Sequence, residues 1–111
     1  MSEWEPEQIS RQFRFIGDEA ERYFLEAKEK AKYNKSYERI YDEHLAKFAV
    51  YNYLHGRLFL ATRESLVTEL KRMLGNPREP LSEVLDPERF TKYWKEYVNQ
   101  LISEYDVRPE S

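Results

Sequence analysis

Asp86-Pro87-Glu88-Arg89-Phe90-Thr91-Lys92-Tyr93-Trp94-Lys95-Glu96-Tyr97-Val98-Asn99-Gln100-Leu101-Ile102-Ser103-Glu104-Tyr105 reads as a complete amphipathic helix with its start signal attached. Asp86 is a capping residue, Pro87 occupies the first helical position, and Glu88 faces the positive end of the helix dipole. Behind them Phe90, Tyr93, Trp94, Tyr97, Val98, Leu101, Ile102 and Tyr105 recur at steps of three and four. That spacing makes one wide apolar stripe. Val107-Arg108-Pro109 ends it.

Working back from this helix, Gly75-Asn76-Pro77 closes another, which Thr62 opens and which carries Leu66, Val67, Leu70, Met73 and Leu74. Residues 76–85 read as a loop with a single turn at Leu81 to Leu85. Leu58 to Ala61 reads either as a buried connector or as the first turn of the helix after Thr62. From Asp18 a helical pattern runs to Leu54 and stops at Gly56. Ala20, Phe24, Ala27 and Ala31 form its first stripe, and Tyr37, Ile40, Tyr41, Leu45, Phe48 and Tyr51 its second. Asn34-Lys35-Ser36 interrupts the register, and Ser36 can cap. Two helices or a sharp kink are therefore expected in place of one 37-residue rod. Gly17 is expected to close a short helix over Pro6 to Ile16, with Asp18 capping the next and Glu21 completing a capping box. Trp4 is expected to fold back over Ile9, Phe13 and Ile16.

The expected fold is all-α: a small bundle of four to five helices, with a long central helix or a helical hairpin over 18–55. One domain is expected over 1–111, with 1–5 and 107–111 loosely ordered. Alternating apolar runs and Asn-Gly or Asp-Gly turns are missing, so strands are not expected.

Composition narrows the setting. The chain has 111 residues, which suits one core and not two. It has no cysteine, which removes disulfides and thiolate chemistry. The longest apolar run, Leu58-Phe59-Leu60-Ala61, is far too short to cross a bilayer, and the acidic N-terminus does not resemble a signal peptide. A cytoplasmic location is the expectation. The charged fraction of 35% without cysteine resembles thermophile usage. Net charge is −3, but it is unevenly spread: residues 1–27 sum to −4, 28–75 to +4 and 76–111 to −3.

Sites for chemistry are few. His44 and His55 are eleven residues apart. On one helix that is about 16 Å, too far to share an ion. No metal site and no cofactor is expected, and the three isolated glycines make no phosphate-binding loop. Arg39-Ile40-Tyr41-Asp42-Glu43-His44 is an R-x4-H spacing that resembles that of the HEPN-type helical ribonucleases. The resemblance implies that Arg39 and His44 act on an RNA phosphodiester. The adjacent Asp42 and Glu43 repel an anionic substrate, so a ribonuclease ranks third.

Two constellations rank above it. Lys28, Lys32, Lys35 and Arg39 fall at i, i+4, i+7 and i+11, which aligns four cations if the helix is continuous, with Tyr33 and Tyr37 interleaved. Such a stripe can follow a phosphate backbone while tyrosines stack on unpaired bases. The plainer alternative is the solvated back of an amphipathic helix. Nine tyrosines and two tryptophans also exceed what a small core needs. Phe48, Tyr51 and Tyr53 nearly encircle one helix, and Tyr93, Trp94 and Tyr97 cluster on another. Residues of these types dominate protein interfaces. The first functional expectation is a non-enzymatic helical interaction subunit or adaptor that self-associates, within a nucleic-acid-handling or viral assembly. Its alternative is direct nucleic-acid binding through the basic stripe.

Overall fold

A proline at the first helical position, a long stripe of small and aromatic residues, and no further proline until residue 77 dictate the first half of the molecule. The computed structural model describes residues 4–55, 58–78 and 84–106, and among these it is all-helical, without a strand. Helix α1 spans Pro6–Ala31, α2 spans Tyr37–Leu54, α3 spans Arg63–Leu74 and α4 spans Pro87–Tyr105, with a short 3-10 segment at Leu58–Ala61.

Helix α1 is continuous through Gly17, so the expected boundary at Gly17 and Asp18 is wrong. Its buried side is Phe13, Gly17, Ala20, Phe24 and Ala27, which keeps one face turned to the core for four turns. Gly17 lies against α2, where an added Cβ would meet Cβ of Tyr51 at 3.6 Å and the Asn52 amide at 3.7 Å. The glycine is thus a site of close helix approach, and Asp18 is an exposed mid-helix residue. Phe24 packs edge-on to Tyr41 at 5.7 Å while Phe13 packs on Tyr51 at 5.3 Å. Early α1 therefore meets late α2, and the two form an antiparallel hairpin.

The break between them falls where Asn34-Lys35-Ser36 places it. Its chemistry differs from expectation: Ser36 makes no side-chain cap. Instead the Asn34 side-chain oxygen accepts from the Ser36 amide at 3.0 Å and from its hydroxyl at 2.8 Å. This is the local turn an asparagine favours.

Helix α4 enters with the Asp86 carboxylate accepting from the amides of Glu88 and Arg89, as its sequence predicts. Asp42 of α2, fully buried, holds that entry in place by accepting from the Leu85 amide and from Arg89, each at 3.2 Å. At its other end Tyr105 meets Phe13 edge-on at 6.1 Å. Helix α4 therefore runs alongside α2 in the same direction. Thr62 caps α3 in a reciprocal pair with Ser65. Trp94 of α4 donates its indole N–H to the Met73 carbonyl at 2.7 Å, pairing its polar atom with the last turn of α3.

These contacts enclose one cluster centred on Leu45, Val50, Leu54, Leu66, Leu70, Phe90, Trp94 and Val98. The molecule is elongated, 53 × 24 × 23 Å. Of the ends expected to be loose, 1–3 and 107–111 lie outside the described residues. Trp4 is pinned, donating to the Leu60 carbonyl and packing edge-on to Tyr105 at 5.9 Å. Of the turn expected at Leu81 to Leu85, residues 81–83 lie outside the described residues. Val84 is non-helical and Leu85 forms a bend just before the Asp86 cap.

Candidate functional site

Because α1 stops at Ala31, the four cations Lys28, Lys32, Lys35 and Arg39 do not form a straight stripe. Lys28 is in the last turn of α1, Lys32 is its terminal cap, Lys35 lies in the turn, and Arg39 is in the first turn of α2. The helix break brings them instead to the tip of the α1–α2 hairpin. Lys30 joins them, its ammonium 5.4 Å from the centre of the Tyr37 ring. Backbone bonds stiffen the tip: the amides of Tyr33 and Asn34 both donate to the Lys30 carbonyl at 3.0 Å, and those of Tyr37 and Glu38 to the carbonyls of Asn34 and Lys35. At the apex Tyr33 is 91% exposed, more than any other large hydrophobic side chain described.

Two acids share the tip. Glu29 pairs with Lys32 at 3.2 Å in an open i,i+3 bridge. Glu38 lies in the first turn of α2, where the helix dipole favours an anion. Lys28 and Lys30 have a local reason to be where they are, since cations suit a helix C-terminus. Lys35 and Arg39 have none, because they crowd the positive end of α2. Their placement costs the helix a little and leaves a tip with more positive charge than folding asks for.

The second constellation looks different once folded. Tyr51 and Trp94 belong to the core, at 8% and 0% exposure, so the expectation that they line an open contact surface is wrong. Burial pushes the Tyr51 hydroxyl up to about 12. Phe48, Tyr53, Tyr93 and Tyr97 are half-buried against the same core. Tyr53 donates to Glu69 at 3.1 Å and accepts from Arg72 at 2.9 Å, while Arg72 grips both Glu69 oxygens at 2.6 Å. Tyr97, with its ionisation raised by burial and by Glu43, reaches toward that carboxylate. Tyr53 and Tyr97 half-bury their rings and keep their hydroxyls paired.

Arg39 and His44 do not converge. Five residues apart on α2, they point about 140° apart. Arg39 is exposed, whereas His44 is half-buried with its ring 5.3 Å from that of Tyr23. Burial lowers the His44 ionisation, favouring the neutral ring, and its Nδ1 is buried without a hydrogen-bond partner among the described residues. His44 here is a packed side chain. Among the described residues no group of three or more His, Asp or Glu is placed to hold a metal, and no helix is long and apolar enough to cross a membrane.

Sequence reasoning missed one feature. Phe15 and Leu25 are 64% and 51% exposed on the outward side of α1. The signal was available, since both fall outside the apolar register of Phe13, Ala20, Phe24 and Ala27. Comparison with family models, with curated proteins and with solved structures finds no match.

Proposed function

We propose that the protein is a non-enzymatic helical interaction subunit that self-associates and uses the α1–α2 tip to hold an unpaired nucleic-acid strand. The observation that carries the ligand is Tyr33: a nearly fully exposed ring at the apex of a hairpin end that also carries Lys28, Lys30, Lys32, Lys35 and Arg39. A solvated hairpin end needs no aromatic residue at its apex. A base-stacking platform does, and stacking is worth about 1–3 kcal/mol per base. The cations supply the phosphate attraction, and two of them oppose the α2 dipole, which fits a demand other than helix stability. The acids of residues 1–27 and 76–111 belong mostly to the rest of the bundle, so the tip is the strand's approach point.

The test is a fluorescence-anisotropy titration of a labelled unpaired oligonucleotide at low salt. The intact protein should bind, and affinity should fall as salt rises. The combined Lys28→Glu, Lys32→Glu and Lys35→Glu variant should lose binding while keeping its helical circular dichroism. No binding by the intact protein at low salt rejects the strand as ligand.

A further inference from the structure

Helix α1 has two faces with different duties. Phe13, Gly17, Ala20, Phe24 and Ala27 meet the core. On the opposite side Arg11, Phe15, Asp18, Arg22, Leu25 and Glu29 are all exposed and follow one another at alternating steps of four and three. That is the spacing of a two-helix seam. Read forward, the seam runs cation, apolar, anion, cation, apolar, anion. Read backward it is its own complement. We infer that this face pairs with the same face of a second copy, antiparallel, about a two-fold axis at the level of Ala20.

In this register Phe15 meets Leu25 of the second copy, Arg11 meets Glu29, and Asp18 meets Arg22. By symmetry each pairing occurs twice. The two exposed apolar side chains of the seam cover one another, and every seam charge meets its opposite. Other registers fail. Sliding one heptad one way sets Arg11 against Arg22 and Phe15 against Asp18. Sliding the other way sets Asp18 against Glu29. A parallel, in-register pair sets each charge against itself. Complementarity of this kind fixes register and partner more than it adds affinity.

The charges are free for the purpose. Among the described residues neither Arg11, Asp18 nor Arg22 has an ion-pair partner, and Arg22 only lies 5.5 Å from the ring of Tyr23. Glu29 would exchange its exposed bridge to Lys32, an interaction worth little. A shallow depression bordered by Gln8, Arg11, Gln12, Phe15 and Ile16 lies beside the N-terminal part of this seam. At the rim Glu19 and Glu21 come near their own counterparts and Arg14 near Lys28, which keeps the pairing weak and reversible.

The inference deepens the self-association part of the proposed function, and the seam reaches the tip only through Glu29, with Lys28 at its rim. Its test uses two exposed substitutions that leave the core untouched. Asp18→Arg sets two guanidinium groups together, the new one facing Arg22 of the second copy, and Arg22→Asp sets two acids together. In sedimentation equilibrium the intact 13.6 kDa chain should form a dimer at high concentration, and each variant alone should bind itself at least about tenfold more weakly. An equimolar mixture of the two variants should dimerise again, since every charge pair across the mixed seam is then opposite in sign. A dimer indifferent to both variants keeps self-association but overturns this seam. A monomer at all concentrations, or a mixture that stays monomeric, overturns it too. Oligonucleotide binding by the variants reports on the tip separately.

Discussion

Tyr33 and Tyr51 are the same residue type in one helical hairpin, and they have opposite fates. Tyr51 is buried against Phe13, while Tyr33 stands in water at the hairpin apex. The contrast extends to their neighbourhoods. Around Tyr51, Trp94 and Tyr97 aromatic bulk is consumed by packing, and the polar atoms of Trp94 and Tyr97 are tied to the Met73 carbonyl and the Glu43 carboxylate. Around Tyr33 charge accumulates beyond what the helix ends require. Aromatic density alone therefore says little about where a protein makes contact. What distinguishes the two regions is whether the fold has already used the ring.

The largest effect should come from emptying the interior. Trp94→Ala removes a fully buried ring and should cost about 3–5 kcal/mol, read as a lower urea midpoint. A loss below about 1 kcal/mol would show that the Trp94 region is not core.

Two buried acids sharpen the contrast through pH, with opposite signs. Burial raises the Asp42 ionisation despite the Leu85 amide and Arg89. Its contribution is full below the unfolded value of about 3.9 and is lost as pH rises through the raised folded value. The hydrogen bond from Arg72 lowers that of Glu69, so its contribution is full above about 4.3 and is lost as pH falls through the depressed value. Urea midpoints measured against pH should show Asp42→Asn lacking the first component and Glu69→Gln lacking the second. Shared pH dependence in both variants would contradict the assignment.

Gly17→Ala should stabilise the protein by about 0.5–1 kcal/mol. The added methyl group meets Tyr51 at ordinary contact distance, and the helix no longer carries a glycine in its middle. Destabilisation would revive Gly17 as a helix terminator. The smallest change in stability belongs to Tyr33→Ala, within about 0.5 kcal/mol, because the ring is nearly fully exposed. The same variant should bind an unpaired oligonucleotide about tenfold more weakly.

The elements written in consecutive local signals were legible. Asp86-Pro87 and the stripe behind it place α4 at Pro87–Tyr105, and Thr62 with Gly75 brackets α3 at Arg63–Leu74. Asn34 marked the hairpin turn, although its own carboxamide does the work expected of Ser36. Gly17-Asp18 misled because it imitates a helix end, at a cost of only about 1 kcal/mol that packing against α2 overrides. The steps Phe13, Gly17, Ala20, Phe24 and Ala27 were the truer signal, a face continuing across the apparent stop. The aromatic clusters were the least legible, since whether a tyrosine on a helix faces a neighbour depends on partners far along the chain. The basic tip was half-legible: its residues were identified, but on a straight stripe that the turn at Asn34 folds into a cluster.

Mapping amide chemical shifts while an unpaired oligonucleotide is added at low salt tests the division between tip and interior most directly. Perturbations should concentrate at residues 28–39, with the amides of 48–54 and 93–97 nearly still. The reverse pattern, or no perturbation anywhere, would contradict the account.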